Sequence, residues 1–308
     1  MKKIIAVLLC LVALLALLSC AQEVAEDEGL KIACTSFVVA DWVENIVGDS
    51  SDCRVVILGD KGKDMHNFQP AAADMRELLS SDLIIYIGGE SDKWVESVAL
   101  GENNRLMRLF DVIDGAHCES CLDGHDHDHG DAPDEHIWLS LENPLAVCEA
   151  LAHTMGELDP DNKTAYLSNL ADYSEKITVL HDGYLAAAES AKYKTLVFAD
   201  RFPFVYLMNE LGIEYLAAFP GCSSETSASF ETVITLAGEV DRLGLGCVLV
   251  LEDSADGIAP TVIENTKSKS AQILALDSMQ IYSGDESFDY IEAMYKNLAA
   301  FKQAFGSR

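Results

Sequence analysis

The middle of the chain carries the pattern of one uninterrupted helix. From residue 161 to about residue 191 there is no proline, and large apolar residues recur at spacings of three and four. The preceding Asp159-Pro160-Asp161 is typical of a helix start. About thirty helical residues at 1.5 Å each would span roughly 45 Å, enough to run past one domain and into a second. The sequence therefore predicts two domains that share a connecting helix.

Short runs rich in Val and Ile alternate with helical patterns on both sides of this helix. Such runs are typical of buried parallel strands, and their alternation with helices predicts α/β domains. The predicted strands are 31–35, 53–58, 83–88, 195–198, 214–218, 247–251 and 272–276, with predicted helices at 39–47 and 71–79. We place an N-terminal lobe at 30–155, the linker helix at 156–191 and a C-terminal lobe at 192–308.

The start of the chain has the organisation of an export signal. Lys2 and Lys3 precede an apolar run at 4–18 that is short for a membrane span. The sequence Leu17-Leu18-Ser19-Cys20 resembles a bacterial lipobox, in which the cysteine is diacylated and becomes the new N-terminus. We predict a lipoprotein signal peptide at 1–19, lipidation of Cys20 and a tether at 20–29. An uncleaved anchor is the alternative, and both place the rest of the chain outside the cytoplasmic membrane.

The formal net charge of the chain is −30. So acidic a surface repels nucleic acid and anionic lipid, and it raises the local concentration of cations. We therefore expect no nucleic-acid partner. A high negative charge can also serve solubility alone. The charge therefore supports a cation ligand but does not require one.

A His- and Cys-rich loop is predicted at 117–131. Imidazole and thiolate are preferred ligands of Zn²⁺, although ligand type alone leaves copper and nickel open. The loop residues that could bind metal are His117, Cys118, Cys121, His125, His127 and His129. Cys118 and Cys121 could instead form a local disulfide. The alternative for the whole loop is a solvated acidic segment that binds no metal.

Four further residues could converge on one ion. His66, Asp200 and Asp256 each follow a predicted strand, and His136 stands where apolar residues resume after the loop. Ligands of α/β sheets bind beyond the carboxyl ends of the strands. Two nitrogens and two carboxylates from two lobes could close a four-coordinate site, which suits capture and release. Asp200 and Asp256 could equally be helix caps.

The sequence contains no recognised catalytic apparatus. No Gly-x-Gly-x-x-Gly follows a predicted strand, and no nucleophile motif is present. A secreted metallohydrolase would need an open coordination position beside a general base, as in His-Glu-x-x-His, which is also absent. We therefore predict a binding protein and no enzyme.

Several motifs resemble the metal-binding lipoproteins of ABC importers for zinc and manganese. Residues 64–70 read Asp-Met-His-Asn-Phe-Gln-Pro where the family has Asp-Pro-His-x-Tyr-Glu-Pro, and 135–139 read Glu-His-Ile-Trp-Leu where it has Pro-His-Ile-Trp-Leu. Zinc-specific members often carry a His- and Asp-rich loop before the second histidine, and this chain has that loop in that place. The resemblance implies two Rossmann-like lobes joined by one long rigid helix, with a metal site in the cleft. Further matches are 35–37, 41–42, 81–83, Trp94 and 276–279.

The resemblance also implies a set of metal ligands. His66 and His136 match the two histidines of the family's N-terminal lobe, and Asp256 matches its carboxylate ligand. Arg201 stands where the family has a histidine or glutamate, and it cannot coordinate because it stays protonated. Asp200 is the nearest substitute for that third ligand.

The implied function is the capture of Zn(II) outside the cytoplasm and its delivery to the permease of an ABC importer. The ATPase subunit is a further partner, Cys20 supplies the membrane anchor, and the protein acts as a monomer in the periplasm or at the cell surface. Two histidines with two carboxylates would also suit Mn(II), but affinity for a His- and Cys-rich loop rises from Mn²⁺ towards Zn²⁺. The alternatives are a manganese or iron carrier of the same family and a surface adhesin on the same scaffold.

Overall fold

The computed structural model describes most of the two predicted lobes. The described residues are 29–50, 52–98, 100–114, 133–220, 228–252, 254, 257–284 and 287–306. Several predicted features lie outside these ranges, namely the signal peptide, most of the tether, Cys20, Asp256 and the loop at 117–131 with His117, Cys118, Cys121, His125, His127 and His129.

The N-terminal lobe is built on a four-stranded parallel sheet in the order β2-β1-β3-β4. Its strands are β1 (Lys31–Cys34), β2 (Arg54–Ile57), β3 (Leu83–Tyr86) and β4 (Arg105–Arg108). Three of them lie within the predicted runs. β4 was missed because Arg-Leu-Met-Arg has no β-branched residue, and it lies at the sheet edge, where Leu106 is 42% exposed.

Helices cover this sheet where the sequence supplies apolar faces. Helix α1 (Phe37–Val47) begins at Ser36, whose hydroxyl accepts the N–H of Val38 at 3.2 Å as an N-cap. The side chain of Trp42 on α1 is fully buried. The remaining helices before the long one are α2 (Ala72–Leu79) and α3 (Asn143–Leu158).

The C-terminal lobe is also built on a four-stranded sheet, in the order β6-β5-β7-β8. All its pairings are parallel, so the predicted class of two α/β lobes is confirmed. Its elements are β5 (Thr195–Phe202), α5 (Val205–Leu211), β6 (Glu214–Pro220), α6 (Phe230–Leu243), β7 (Cys247–Leu251), α7 (Ala259–Glu264), β8 (Gln272–Leu276) and α8 (Tyr290–Ala304).

One helix, α4 (Lys163–Glu189), packs against elements of both lobes. It contacts α1 and α3 on one side and α8 on the other. Two of its buried tyrosines fix these contacts: Tyr173 donates to the Asp41 carboxylate at 3.0 Å, and Tyr184 donates to the carbonyl of Met294 at 2.7 Å. The 27-residue helix lies inside the stretch for which the sequence predicts a continuous helix.

Residues 134–142, which we call the junction segment, join the lobes a second time. Trp138 donates its indole N–H to the carbonyl of Ser278 at 2.9 Å. Glu210 on α5 accepts the N–H of Leu141 at 3.0 Å and the hydroxyl of Ser140. Burial raises the pKa of Glu210 to about 7. A titratable carboxyl therefore lies in the contact between the lobes.

We expect this carboxyl to make the folded protein less stable as the pH rises. Its pKa is higher in the folded state than the ordinary value of 4.5, so the folded state binds more protons between these values. Its stabilisation is therefore complete below about pH 4.5 and is lost as the pH rises through 7. Over this pH range the free energy of unfolding, measured by urea titration, should fall by up to about 3 kcal/mol less in Glu210→Gln than in the wild type.

The exposed Glu264 on α7 provides a matched control. Glu264→Gln should retain the pH dependence of the wild-type protein. A Glu210→Gln variant whose stability falls as steeply with pH as the wild type would show that Glu210 is already ionised in the folded state at low pH.

Candidate metal centre

His66 is held in the loop that follows β2. It lies on a 3₁₀ turn (Met65–Asn67) that begins at Asp64, whose carboxylate accepts the N–H of His66 at 3.0 Å. The side chain of His66 is 15% exposed. Its Nδ1 atom lies 2.6 Å from the hydroxyl of Ser91, which is in the loop after β3. Two loops at the carboxyl edge of the N-terminal sheet thus position one imidazole.

His136 lies at the start of the junction segment and is fully buried. The Asp134 carboxylate accepts both its main-chain N–H and its Nδ1–H, each at 2.7 Å. A carboxylate opposite Nδ1 places the ring proton there, so the Nε2 atom of His136 presents a lone pair. Neutral imidazole with one nitrogen held by a carboxylate is the usual form of a metal-binding histidine.

The two rings meet at their Nε2 atoms, which are 3.1 Å apart. Two nitrogens on a tetrahedral Zn²⁺ with bonds of about 2.0–2.1 Å are separated by roughly 3.3 Å. The pair is therefore within a few tenths of an ångström of the spacing that zinc requires. Burial lowers the pKa of His66 below its ordinary value, and the neighbouring His136 lowers it further. Both effects keep a lone pair on the ring, which is the form that binds metal.

Buried carboxylates hold the surrounding loops. Asp92 accepts the N–H groups of Ile87 at 2.6 Å and Gly88 at 2.9 Å, which fixes the loop that carries Ser91. Glu135 accepts the N–H of Ser91 at 3.1 Å, and one of its oxygens lies 3.9 Å from Nδ1 of His66. Burial raises the pKa of Glu135. The site thus contains acidic groups beside the two imidazoles.

Asp200 lies near the end of β5 and bonds to the main chain. Its two carboxylate oxygens accept the N–H of Arg201 at 2.8 Å and the N–H of Leu251 at 2.9 Å. The bond from Leu251 fastens β5 to β7, and the two bonds together leave one lone pair on each oxygen for any metal. Asp200 as a metal ligand therefore stays a prediction, and so does Asp256.

Arg201 reaches across to the N-terminal lobe. Its guanidinium lies 3.4 Å from the Asp64 carboxylate, two residues before His66. The side chain that replaces a family ligand in the sequence is thus close to the histidine pair. Within the described ranges, no three His, Cys, Asp or Glu residues form a group able to hold a metal.

Sequence reasoning missed the groups that orient the two histidines. Asp134 could have been found, since a carboxylate two residues before a histidine can bond to its ring. Ser91 and Gln280 carry no such signal. The amide nitrogen of Gln280 lies 2.7 Å from Nε2 of His136, although 144 residues separate them in the chain.

We expect the metal-free protein to show these two histidines in fixed forms. At pH 5.5 a nitrogen-15 NMR spectrum should show a proton on the Nδ1 atom of His136, because Asp134 accepts that proton. His66 should be neutral because burial lowers its pKa, although an unperturbed imidazole is mostly charged at that pH. Asp134→Ala should remove the tautomer preference of His136, and Asp172→Ala on the exposed face of α4 should not. A protonated His66 at pH 5.5 would contradict the assignment.

Comparison with known proteins gives a family for this arrangement. The family model described as zinc-uptake complex component A, periplasmic, matches residues 32–304. The zinc-binding protein AdcA of Streptococcus pyogenes is 25% identical over 299 residues, which cover 92% of this chain and 57% of AdcA. The metal ABC transporter substrate-binding lipoprotein SsaB of Streptococcus sanguinis is 31% identical over 58% of this chain and 59% of its own. The chain thus spans little more than half the length of these relatives.

Solved structures share the two-lobe fold. The Zn(II)-bound AdcAII E280Q variant of Streptococcus pneumoniae superimposes with a TM-score of 0.72 at 21% identity, over 90% of this chain and 99% of that one. A Mn-bound periplasmic metal-binding protein from Candidatus Liberibacter asiaticus gives 0.71 at 21% identity, over 89% and 98%. The match to the family model extends over both lobes and includes both histidines. The chain belongs to the family of zinc-uptake complex component A, periplasmic.

Proposed function

We propose that this protein captures Zn(II) outside the cytoplasm and delivers it to the permease of an ABC importer. The observation that carries the proposal is the pair of Nε2 atoms of His66 and His136, 3.1 Å apart. One ring is held by a carboxylate and the other by a hydroxyl, and His136 is fully buried. A pair of imidazoles at this spacing is suited to hold one borderline-soft cation.

The proposed ligands are His66 and His136, completed by oxygen donors from the C-terminal lobe. Asp256 is the proposed carboxylate. Asp200 is the weaker candidate, because each of its oxygens already accepts a main-chain hydrogen bond and keeps only one further lone pair for a metal. No enzymatic step is proposed at this site.

Zinc is the proposed cargo, with manganese as the alternative. Nitrogen ligands favour Zn²⁺ over Mn²⁺. Zinc-binding relatives support this choice, whereas structures of the same fold are described with bound manganese and cadmium. We further propose that the loop residues His117, Cys118, Cys121, His125, His127 and His129 gather additional ions.

Membrane attachment is proposed through lipid on Cys20. A relative from Streptococcus pneumoniae, 25% identical over 98% of this chain, is described as a zinc-binding lipoprotein. Within the part of the chain that the structure describes, no helix has the length and apolar character needed to cross a bilayer. The proposed partners are the permease and its ATPase subunit, and the protein is proposed to act as a monomer.

Replacing both histidines by alanine should abolish tight zinc binding. The wild-type protein, offered Zn²⁺ and Mn²⁺ together, should retain one tightly bound zinc ion in native mass spectrometry. His66→Ala with His136→Ala should retain none. His153→Ala provides the control, because His153 is an exposed residue of α3 that bonds to the carbonyl of Glu149. If the wild-type protein retains manganese in this site, the cargo is manganese. If it retains no tightly bound ion, the result favours a surface adhesin.

Deleting residues 118–130 should leave the tight site intact. The deletion removes most of the His- and Cys-rich loop, so only weaker additional ions should disappear from the mass spectrum. A variant that loses the tight zinc ion, while its circular dichroism spectrum is unchanged, would place the main site in the loop and contradict the proposed one.

A further inference from the structure

Arg201 extends from the C-terminal lobe to the loop that carries His66. The register of β5 against β6 shifts between Phe198 and Arg201, and irregularities of this kind redirect side chains near the end of a strand. The guanidinium of Arg201 lies 3.4 Å from the Asp64 carboxylate, whose other oxygen accepts the N–H of His66. A permanent positive charge is therefore placed close to the two imidazoles.

Main-chain bonds hold the loop after β2 against the segment after β8. Met65 donates to the carbonyl of Gln280 at 2.9 Å, and Gly62 donates to that of Tyr282 at 2.7 Å. Asp64 and Ile281 form an antiparallel bridge between these bonds. These contacts join the two lobes without the side chain at position 201, so its guanidinium is not needed to hold the lobes together.

The guanidinium of Arg201 is only weakly engaged. Its contact with Asp64 is longer than the roughly 2.7–2.9 Å usual between a charged donor and a carboxylate. It also uses one of the five N–H donors of the group. Among the described residues, Asp64 is the only one to which this side chain bonds. The side chain is 27% exposed, so an ion from solution can reach the remaining donors.

The charge of Arg201 acts on the histidine pair. Burial lowers the pKa of His66 most, the neighbouring His136 lowers it further, and Arg201 adds to the same effect. A divalent cation bound to these imidazoles is repelled by the same guanidinium. Zinc takes four ligands, and the imidazoles supply two neutral nitrogens. The site is therefore short of both ligands and negative charge.

We propose that Arg201 binds a planar oxyanion, with a carboxylate or carbonate group, that coordinates the captured cation at the same time. The inference rests on the proposed function, since it needs a cation on His66 and His136. One oxygen of the anion occupies a coordination position. Its other oxygen accepts N–H groups of the guanidinium, whose planar fork matches carboxylate geometry. The cargo is then a cation together with its anion.

The anion supplies what the described side chains lack. With Asp256 as the proposed carboxylate ligand, the anion fills the fourth position of a tetrahedral ion. Its negative charge also offsets that of Arg201, so the guanidinium stabilises the bound cation through the anion. The alternative is an ion pair in which Arg201 serves Asp64 alone. The two roles differ in one measurable respect, which is the dependence of zinc affinity on anions.

The test measures the zinc affinity of the full-length protein by competition with a chromophoric chelator. Sodium chloride is compared with bicarbonate and with acetate at equal pH and ionic strength, and the zinc affinity of the chelator is calibrated in each buffer. We expect bicarbonate or acetate to raise zinc affinity roughly ten- to a hundredfold over chloride, a coupling typical of two ligands that bind together. An effect of bicarbonate alone identifies carbonate, and an effect of acetate identifies an organic carboxylate.

Arg201→Gln removes the charge and the fork. In this variant neither anion should raise zinc affinity. The visible spectrum of bound Co²⁺ reports the ligands of the metal, so adding the anion should change it in the wild type and leave it unchanged in Arg201→Gln. Arg201→Lys keeps the charge without the fork and should show a weaker anion effect. It is the second variant if thermal unfolding shows that glutamine is not tolerated.

Two matched variants serve as controls. Arg76→Gln, at an exposed position on α2, should show the anion effect of the wild type. Asp64→Asn removes the ion pair but keeps an oxygen that can accept the N–H of His66, and it should also retain the anion effect. Equal zinc affinity of the wild type in all three salts would overturn the inference. So would an anion effect of unchanged size in Arg201→Gln.

The variant with both histidines replaced separates this inference from the proposed function. If that variant loses tight zinc while the wild type binds zinc equally in all three salts, the carrier function stands and the anion site falls. If the wild-type protein binds no tight ion in any of the salts, both fall together.

Discussion

A carboxylate that can only accept hydrogen bonds determines the chemistry of the histidine pair. Asp134 takes two N–H groups of His136, so the lone pair of that ring points towards His66 before any ion arrives. Ser91 is a hydroxyl and can either donate to the Nδ1 atom of His66 or accept from it. His66 can therefore carry its proton on either nitrogen. At the proposed metal site, one imidazole would thus be preset for binding, and its neighbour could change tautomer when a cation replaced the contact between them.

This pair lies where the two lobes are bonded to one another. Tyr206 of the C-terminal lobe donates to the carbonyl of Asp134 at 2.8 Å, and Tyr290 donates to the carbonyls of Trp138 at 2.9 Å and Ser140 at 3.1 Å. The continuous helix α4 and the segment after β8 add two further connections between the lobes. The loops that carry the two histidines are therefore bonded to both lobes.

The fold and the histidine pair could be predicted because their signals are local or periodic. Apolar runs identified seven strands, and motifs around His66 and His136 identified both rings. The strand β4 lacked that signal, because Arg-Leu-Met-Arg contains no β-branched residue and lies at a sheet edge. The role of Asp200 could not be predicted from the sequence. A carboxylate near a strand end can bind a cation or accept a hydrogen bond from a neighbouring N–H group. Which of these it does depends on tertiary structure, here on the position of Leu251. Gln280 reaches His136 through tertiary structure alone.

The unequal burial of the two rings has a kinetic consequence. His136 is inaccessible to solvent, whereas 15% of the His66 side chain is exposed. At the proposed metal site, an ion entering from that side would meet His66 first and lose water molecules there before it reached His136. Departure would follow the reverse order, so an external chelator would compete first for coordination positions near His66. The bond to His136 would then be the one that an external ligand reaches last.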